Sequence, residues 1–383
     1  MAGGRRLVAA AFMAVALVAF AVAVSPAEVA DATATATASL RGAPFESIFA
    51  FGDAFTDTGN NPVVWAWYNV TDEVLRPPYG MTFFHGVPTG RNTNGRLIID
   101  FIAQGLGLPL VPAYLSHKGS FRQGANFAVA EATALNGSFF DAQQTDVSLE
   151  LQLGWFEELK PSLCKTDQEC KDFFGRSLFF MGEIGIDDYH ISLGMRKSME
   201  EIRAFIPDVI RTITMGTERV IQHGAKTVVV PGMVPSGCLA SILVALADAD
   251  ASEYDATTGC LKEPNEIVAL HNSLLQDAVE ELQAKHPDLT IMYTDMFNHV
   301  MEMVKSPEQF GFKSDVLTVC CGGRGRYHYN MSVACGDEAA TTCKDPSTRL
   351  IWDGTHLTEA GYYYIAKDWL NAIVSSLSAR ASS

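Results

Sequence analysis

Two residues near the carboxyl terminus, Asp353 and His356, are spaced to act together in acid–base chemistry. A loop of this length can bring the carboxylate onto the imidazole three residues later. In hydrolases with a serine nucleophile, such an aspartate holds the histidine in the tautomer that takes the serine proton. A lone D-x-x-H spacing is more often a surface pair, so its meaning depends on the rest of the chain.

Other chemically capable residues lie directly after candidate strands. Asp53 and Ala54 follow the first candidate strand, and Glu131 and Asp187 follow two later ones. Ligands of parallel sheets bind outside the carboxyl ends of the strands. We therefore expect Ala54, Glu131 and Asp187 to share one crevice with the Asp353–His356 pair.

The elements that must position these residues alternate along the chain. Five short apolar runs are candidate strands: Ser47–Phe51, Gly124–Val129, Ser177–Met181, Lys226–Val230 and Thr290–Tyr293. Helical spacing covers about Gly95–Gln104 after an Asn94 cap, Met199–Gln222, Asn265–Lys285 and Glu359–Leu377. This alternation predicts an α/β fold, a single-domain α/β/α sandwich with a parallel central sheet.

Composition excludes some partners. The 383 residues are 48% hydrophobic and 19% charged, which is typical of a globular protein with a large core. The net charge of −16 argues against nucleic acid, because phosphate binding requires clustered Lys and Arg. Anionic membrane surfaces are disfavoured for the same reason.

The first residues have the pattern of a secretory signal. Arg5 and Arg6 precede an apolar run from Leu7 to Val24, which predicts a signal peptide over residues 1–24. Residues 25–44 are interpreted as a flexible lead-in, and residues 45–379 as the folded domain. A signal anchor is the alternative, since the run approaches the length that spans a bilayer. After cleavage we expect no stable membrane insertion.

The cysteines agree with secretion. The chain has eight, and Cys164/Cys170 and Cys238/Cys260 are the nearest pairs in sequence. The remaining four, which are Cys320, Cys321, Cys335 and Cys343, allow three pairings. Asn69, Asn136 and Asn330 are glycosylation acceptors. We expect an extracellular protein of the apoplast or cell wall, with the vacuole as the alternative.

Several spaced motifs together resemble the plant GDSL esterase/lipase family. In order they are Phe51-Gly52-Asp53-Ala54, Pro77-Pro78-Tyr79-Gly80, Asn94-Gly95-Arg96, Gly124-Ala125-Asn126-Phe127-Ala128, Gly182-Glu183-Ile184-Gly185, Pro235-Ser236-Gly237-Cys238, Cys320-Cys321-Gly322-Gly323 and Asp353-Gly354-Thr355-His356. The resemblance covers about Phe45 to Leu377 and implies the flavodoxin-like fold of SGNH hydrolases. The chain looks most like the branch of alkaloid-ester and sinapine esterases.

The resemblance assigns roles to the site residues. It implies acyl transfer to a serine, with His356 as base and Asp353 as its orienting partner. The serine position is Ala54, whose methyl group cannot attack a carbonyl. The oxyanion hole would use the Ala54 N–H, a glycine N–H at the position of Glu131 and an asparagine amide at the position of Asp187.

These replacements should impair catalysis. Loss of one oxyanion donor costs about 2.7–4 kcal/mol, and loss of the nucleophile costs on the order of 10⁶ in rate. Asp187, if ionised, would place negative charge where negative charge must develop. Thr56 and Thr58 are near in sequence, but we expect neither to replace the serine. A second interpretation of the acidic residues is a pocket that favours a hard metal ion or an organic ammonium, and a third is drift after catalysis ceased to matter.

Two principal functions follow from this. The first is a secreted pseudoenzyme with a binding or regulatory role. The alternative is an active ester hydrolase or acyltransferase on small acyl esters or acetylated cell-wall polysaccharide, and a metal-dependent hydrolase is a third interpretation. We expect no cofactor, and a small acyl ester or cell-wall glycan as the partner.

Overall fold

The computed structural model describes residues 45–140 and 147–381. The predicted signal peptide over residues 1–24 and the lead-in over residues 25–44 lie outside the described residues. Within the described ranges, no helix is long and apolar enough to cross a membrane.

A five-stranded parallel sheet forms the centre of the fold. Its strands are β1 (Ser47–Phe51), β2 (Gly124–Asn126), β3 (Ser177–Met181), β4 (Thr227–Pro231) and β5 (Thr290–Thr294). They lie in the order β2-β1-β3-β4-β5, which is the flavodoxin order. The predicted α/β fold with a parallel central sheet is confirmed. All residues of β1, β3 and β4 are buried, as expected for strands covered on both faces.

Helices cover the sheet and connect its strands. They are α1 (Asn61–Trp67), α2 (Ile98–Gly105), α3 (Leu149–Leu163), α4 (Asp167–Phe174), α5 (Ile186–Gly194), α6 (Met199–Gln222), α7 (Ala240–Ala245), α8 (Lys262–Lys285), α9 (Phe297–Lys305) and α10 (Glu359–Ala381). Helix α6 has the predicted bounds because its apolar residues recur at helical spacing and Ser198 and Glu201 form a capping box at its start.

Strand β2 is shorter than predicted, ending at Asn126 instead of Val129. It is an edge strand, and beyond it the side-chain amide of Asn60 donates to the carbonyl groups of Asn126 and Ala128, both at 2.8 Å. A side chain rather than a further strand therefore satisfies these carbonyl groups. The sequence pattern of small and apolar residues does not distinguish the two arrangements.

The predicted Asn94 cap of helix α2 is wrong. Helix α2 begins at Ile98, and the Asp100 carboxylate accepts the N–H of Leu97 at 2.9 Å. The Asn94 side chain instead accepts the N–H of Glu359 at 2.9 Å, which is the first residue of α10. Asn94 thus fixes the start of the helix that follows His356.

An aromatic cluster fills the space between β1 and the helices over it. The Phe49 ring lies 5.9 Å from Phe156 of α3, 5.4 Å from Phe174 of α4 and 5.3 Å from Phe179 of β3. Such pairs add about 0.5–1.5 kcal/mol each beyond area burial. They hold β1 rigidly, and β1 carries the turn that contains Ala54.

All eight cysteines form disulfides in the structure. The predicted Cys164–Cys170 and Cys238–Cys260 bonds are present, and the other four cysteines pair as Cys320–Cys343 and Cys321–Cys335. The last two bonds pack with Tyr79 and Trp352 in a small buried cluster. The N–H of Cys321 donates to the carbonyl of Trp352 at 2.7 Å, so this segment supports the loop that begins at Asp353.

Removing the Cys321–Cys335 bond by a double change to alanine should lower the free energy of unfolding by about 2–5 kcal/mol. The bond closes a loop of 14 residues directly under the Asp353 loop. The Cys164–Cys170 bond spans only 6 residues and gives a matched control with a smaller expected loss. Urea unfolding checks this, and an unchanged midpoint for the first variant would contradict it.

Candidate active site

The Asp353 carboxylate and the His356 imidazole form a direct pair. Both carboxylate oxygens lie within 3.0 Å of His356 Nδ1. One oxygen also accepts the N–H groups of Thr355 and His356, at 2.9 and 2.8 Å. The other accepts the hydroxyl of Tyr79 at 3.0 Å. These bonds fix the carboxylate, so His356 is oriented with Nε2 away from its partner, as an oriented base requires.

The charges of this pair are coupled. Burial alone would lower the pKa of His356, but Asp353, Asp187 and Glu73 together raise it. Burial alone would likewise raise the pKa of Asp353, yet His356 and the N–H donors hold it below its usual value. The imidazole therefore holds a proton more tightly than a free histidine does, which weakens it as a base near neutral pH.

Position 54 lies in a tight turn, and the residue after it contacts His356. The Asp53 side chain accepts the N–H of Phe55 at 3.0 Å, and the Asp53 carbonyl accepts the N–H groups of Thr56 and Asp57. The Phe55 ring packs 5.5 Å from the imidazole of His356. Ala54 is buried, with 6% of its surface exposed, and its N–H has no acceptor among the described residues.

The Asp57 carboxylate ties this turn to the loop that follows β2. It is completely buried and accepts four backbone N–H groups, those of Gly59, Asn60, Asn61 and Ala130, at 2.7–3.0 Å. The side chain of Asn126 donates to the carbonyl of Thr56 at 2.6 Å. The loops that carry Ala54 and Glu131 are therefore held at a fixed separation.

Glu131 has a backbone conformation that favours glycine. Its φ of 65° lies in the left-handed region, where a side chain of this size costs about 1–2 kcal/mol. Its N–H, like that of Ala54, has no acceptor within residues 45–140 and 147–381. The Glu131 residue is exposed to solvent. Partial desolvation of its carboxyl nevertheless raises the pKa of that group, and the charge of Asp72 raises it further.

Asp187 and Asp188 lie in the first turn of helix α5 and have different surroundings. Asp188 is buried and accepts the N–H groups of Ala134 and Leu135 at 2.8 and 2.9 Å, which fixes the loop after Glu131. The Asp187 carboxyl has no hydrogen-bond partner among the described residues. Burial, followed by the charges of Glu131 and Asp188, raises the pKa of Asp187 to about 8.

At neutral pH the protonation state of Asp187 differs from the ionised form that would oppose an oxyanion. With a pKa of about 8 its carboxyl keeps a proton there. A protonated carboxyl is a hydrogen-bond donor, whereas the ionised form only accepts. The reason is burial, to which the charges of Glu131 and Asp188 add, and the spacing along the chain does not reveal either.

Several residues of the site escaped the sequence analysis. Tyr79 orients Asp353, and Asp72 and Glu73 lie near enough to act on the charges of His356 and Asp353. Burial, with Asp353 and Asp72, raises the pKa of Glu73 to about 7. Tyr79 lies in the Pro77-Pro78-Tyr79-Gly80 motif, so the sequence could have indicated its role. Asp72 and Glu73 belong to no recognised motif.

The hydroxyl groups of Thr56 and Thr58 form no hydrogen bond with the Asp353–His356 pair. Thr56 is buried and its hydroxyl donates to the Glu183 carboxylate. Thr58 is also buried, and its hydroxyl has no partner among the described residues. Within those residues, no three or more His, Cys, Asp or Glu side chains are grouped so that they could hold a metal ion.

The structure thus brings Asp187, Glu131 and Asp353 into electrostatic reach of His356, with Ala54 adjacent through Phe55. The three glycosylation acceptors lie outside this site. Asn69 and Asn136 are exposed, whereas Asn330 is half-buried and its amide donates to the carbonyl of Arg324 at 3.3 Å.

Stability should fall as pH rises from about 5 to 8 and level off above the folded pKa values of Asp188 and Asp187, because below those values the folded protein holds protons that the unfolded chain has released. Burial is the main cause in each case, raising the pKa of Asp188 to about 7 and that of Asp187 to about 8. Each proton held in excess is worth about 1.4 kcal/mol per pH unit. Thermal unfolding across this range checks the prediction.

The change Asp187→Asn should reduce this pH dependence, since it removes one such proton. Asp172→Asn, at an exposed position on α4, is the matched control and should keep the parental slope. Stability that rises with pH in the parent would contradict the charge assignment.

Comparison with known proteins agrees with this fold. Residues 48–369 match the model of the GDSL-like Lipase/Acylhydrolase family. The chain is 43% identical to GDSL esterase/lipase At5g45910 of Arabidopsis thaliana over 84% of its own length and 89% of that protein. It is 42% identical to GDSL esterase/lipase At1g28580 of the same plant, over 85% of each chain. The chain therefore belongs to the GDSL lipase/acylhydrolase family.

Proposed function

We propose that this chain is a secreted member of the family that binds an acyl ester or a cell-wall glycan at the His356 crevice without hydrolysing it. The observation that carries the proposal is the complete Asp353–His356 pair, together with a methyl group at position 54, whose neighbour Phe55 packs 5.5 Å from the His356 ring. The imidazole has its orienting carboxylate, but position 54 offers it no hydroxyl to deprotonate. The pair can still donate or accept a hydrogen bond to a ligand.

Two further residues support the proposal. The left-handed backbone at Glu131 agrees with a position where the family uses glycine, and the side chain adds an acid next to His356. Asp187 would replace the asparagine whose amide donates to the oxyanion. Its raised pKa leaves it a donor at neutral pH and an opposing charge at alkaline pH.

An active ester hydrolase or acyltransferase is the second candidate. The free N–H groups of Ala54 and Glu131 favour it, because two unpaired backbone donors are what an oxyanion hole supplies. This candidate would need a nucleophile other than residue 54, and the hydroxyl groups of Thr56 and Thr58 are buried.

Secretion is part of the proposal. Four disulfides in one chain are typical of proteins that mature in an oxidising compartment. The exposed Asn69 and Asn136 are the better candidates for glycosylation, since the amide of Asn330 is engaged within the protein. Membership of the alkaloid-ester and sinapine esterase branch stays a prediction.

Restoring the three family residues together should restore hydrolysis. Ala54→Ser supplies the nucleophile, Glu131→Gly relieves the left-handed backbone, and Asp187→Asn supplies an amide donor at every pH. The triple variant should gain more turnover of p-nitrophenyl acetate than the product of the single gains, because residues of one catalytic unit act non-additively. The gain from Asp187→Asn should grow as pH passes the pKa of Asp187, about 8.

The full set of single, double and triple variants should be assayed beside the parent across pH. The triple variant with His356→Ala added is the control and should lose the restored turnover. A triple variant that is well folded but inactive would contradict the assignment of these positions. Family-like activity in Ala54→Ser alone would show that Glu131 and Asp187 do not impair the site.

A further inference from the structure

Two large aromatic side chains are exposed at the end of helix α1. Trp67, the last residue of the helix, has 56% of its surface exposed, and Tyr68 after it has 53%. Within the described residues, neither side chain forms a hydrogen bond or packs against another aromatic ring. Two adjacent exposed side chains of this size form an apolar patch of the kind that another molecule commonly covers.

An acceptor for N-linked glycosylation follows the two aromatic residues directly. It consists of Asn69, Val70 and Thr71, and all three residues are exposed. Trp67 and Tyr68 therefore stand two positions and one position before the acceptor asparagine. Two residues span at most about 7 Å of chain. A sugar on Asn69 can thus reach both aromatic rings.

The backbone holds the acceptor and the aromatic pair in one turn. Asn69 has a φ of 60°, in the left-handed region that asparagine adopts more readily than most residues. Its N–H donates to the carbonyl of Ala66 at 3.1 Å, and the N–H of Val70 donates to the carbonyl of Trp65, also at 3.1 Å. These two bonds form a Schellman motif, which ends helix α1. The acceptor is therefore fixed beside the aromatic pair by hydrogen bonds of the backbone.

The first sugar of an N-linked glycan is complementary to this surface. One face of N-acetylglucosamine presents C–H groups, whose hydrogens carry partial positive charge. The face of an aromatic ring carries partial negative charge, so the two faces attract each other, and their contact also removes apolar area from water. Because the sugar is attached to the same turn, its local concentration at the rings is high, and the contact needs no further affinity to form.

We propose that Asn69 carries an N-linked glycan whose first N-acetylglucosamine packs on Trp67 and Tyr68 and stabilises the fold. In the transfer step, Nδ2 of Asn69 bonds to the anomeric carbon of an oligosaccharide carried on a lipid diphosphate. The bond from that carbon to the diphosphate breaks, the lipid diphosphate leaves, and Nδ2 loses one proton. Such a glycan requires the proposed secretion, since this transfer takes place in the secretory pathway.

The full chain should be expressed in cultured cells treated with kifunensine, which keeps glycans rich in mannose, and purified from the medium. Mass spectrometry of its peptides should locate a glycan on Asn69. Trimming to one N-acetylglucosamine with endoglycosidase H should leave the melting temperature unchanged, because the first sugar makes the contact. Thr71→Ala removes the glycan and keeps Asn69, and it should lower the melting temperature by about 2 °C.

The same Thr71→Ala change in a variant that also carries Trp67→Ala and Tyr68→Ala should cause no further loss, since no ring remains for the sugar to contact. Ser138→Ala is the matched control, because it removes the exposed acceptor at Asn136, which has no aromatic residue one or two positions before it. We expect the control to keep the parental melting temperature.

A secreted protein without a glycan on Asn69 would overturn the proposal. An unchanged melting temperature in Thr71→Ala, or an equal loss with and without the aromatic pair, would overturn the contact between the sugar and the rings. A loss on trimming with endoglycosidase H would do the same, because outer sugars would then be responsible. Absence of the protein from the medium would contradict the proposed secretion and exclude the glycan with it, so the two failures are distinguishable.

Discussion

The site depends on the buried carboxylate of Asp57. It accepts four backbone N–H groups from two separate loops. Burial raises the pKa of Asp57 to about 6, although the four donors oppose this shift. Because the carboxylate joins the turn after β1 to the loop after β2, the places of Ala54 and Glu131 follow from it.

Other polar groups extend this arrangement across the carboxyl edge of the sheet. The side-chain amide of Gln152 bonds both the N–H and the carbonyl of Gly52, each at 2.8 Å, as a neighbouring strand would. Asp188 bonds the loop after Glu131 to helix α5. None of these bonds involves the side chain at position 54. The framework of an acyl-transfer site can therefore persist after its nucleophile is replaced, since different interactions maintain the geometry and the chemistry.

The sequence predicted the central strands of the sheet well and the end of the edge strand β2 less well. Strands β1 and β3 have their predicted bounds, because uninterrupted apolar runs between turn residues leave one solution. The end of β2 and the partner of Asn94 were wrong, since each depends on a side chain that binds backbone from a distant part of the chain. The raised pKa of Asp187 was missed for a related reason: it arises from burial and then from the charge of Glu131, which is far from it in sequence.

The central claim is that the oriented His356 has no nucleophile to activate. The most direct measurement is steady-state turnover of p-nitrophenyl acetate by the purified parent beside the His356→Ala variant, with folding of both verified. The account predicts that the two rates are equal, since a base without a hydroxyl contributes nothing to hydrolysis. A fall on the order of 100-fold or more in the variant, the range lost with a general base, would contradict it.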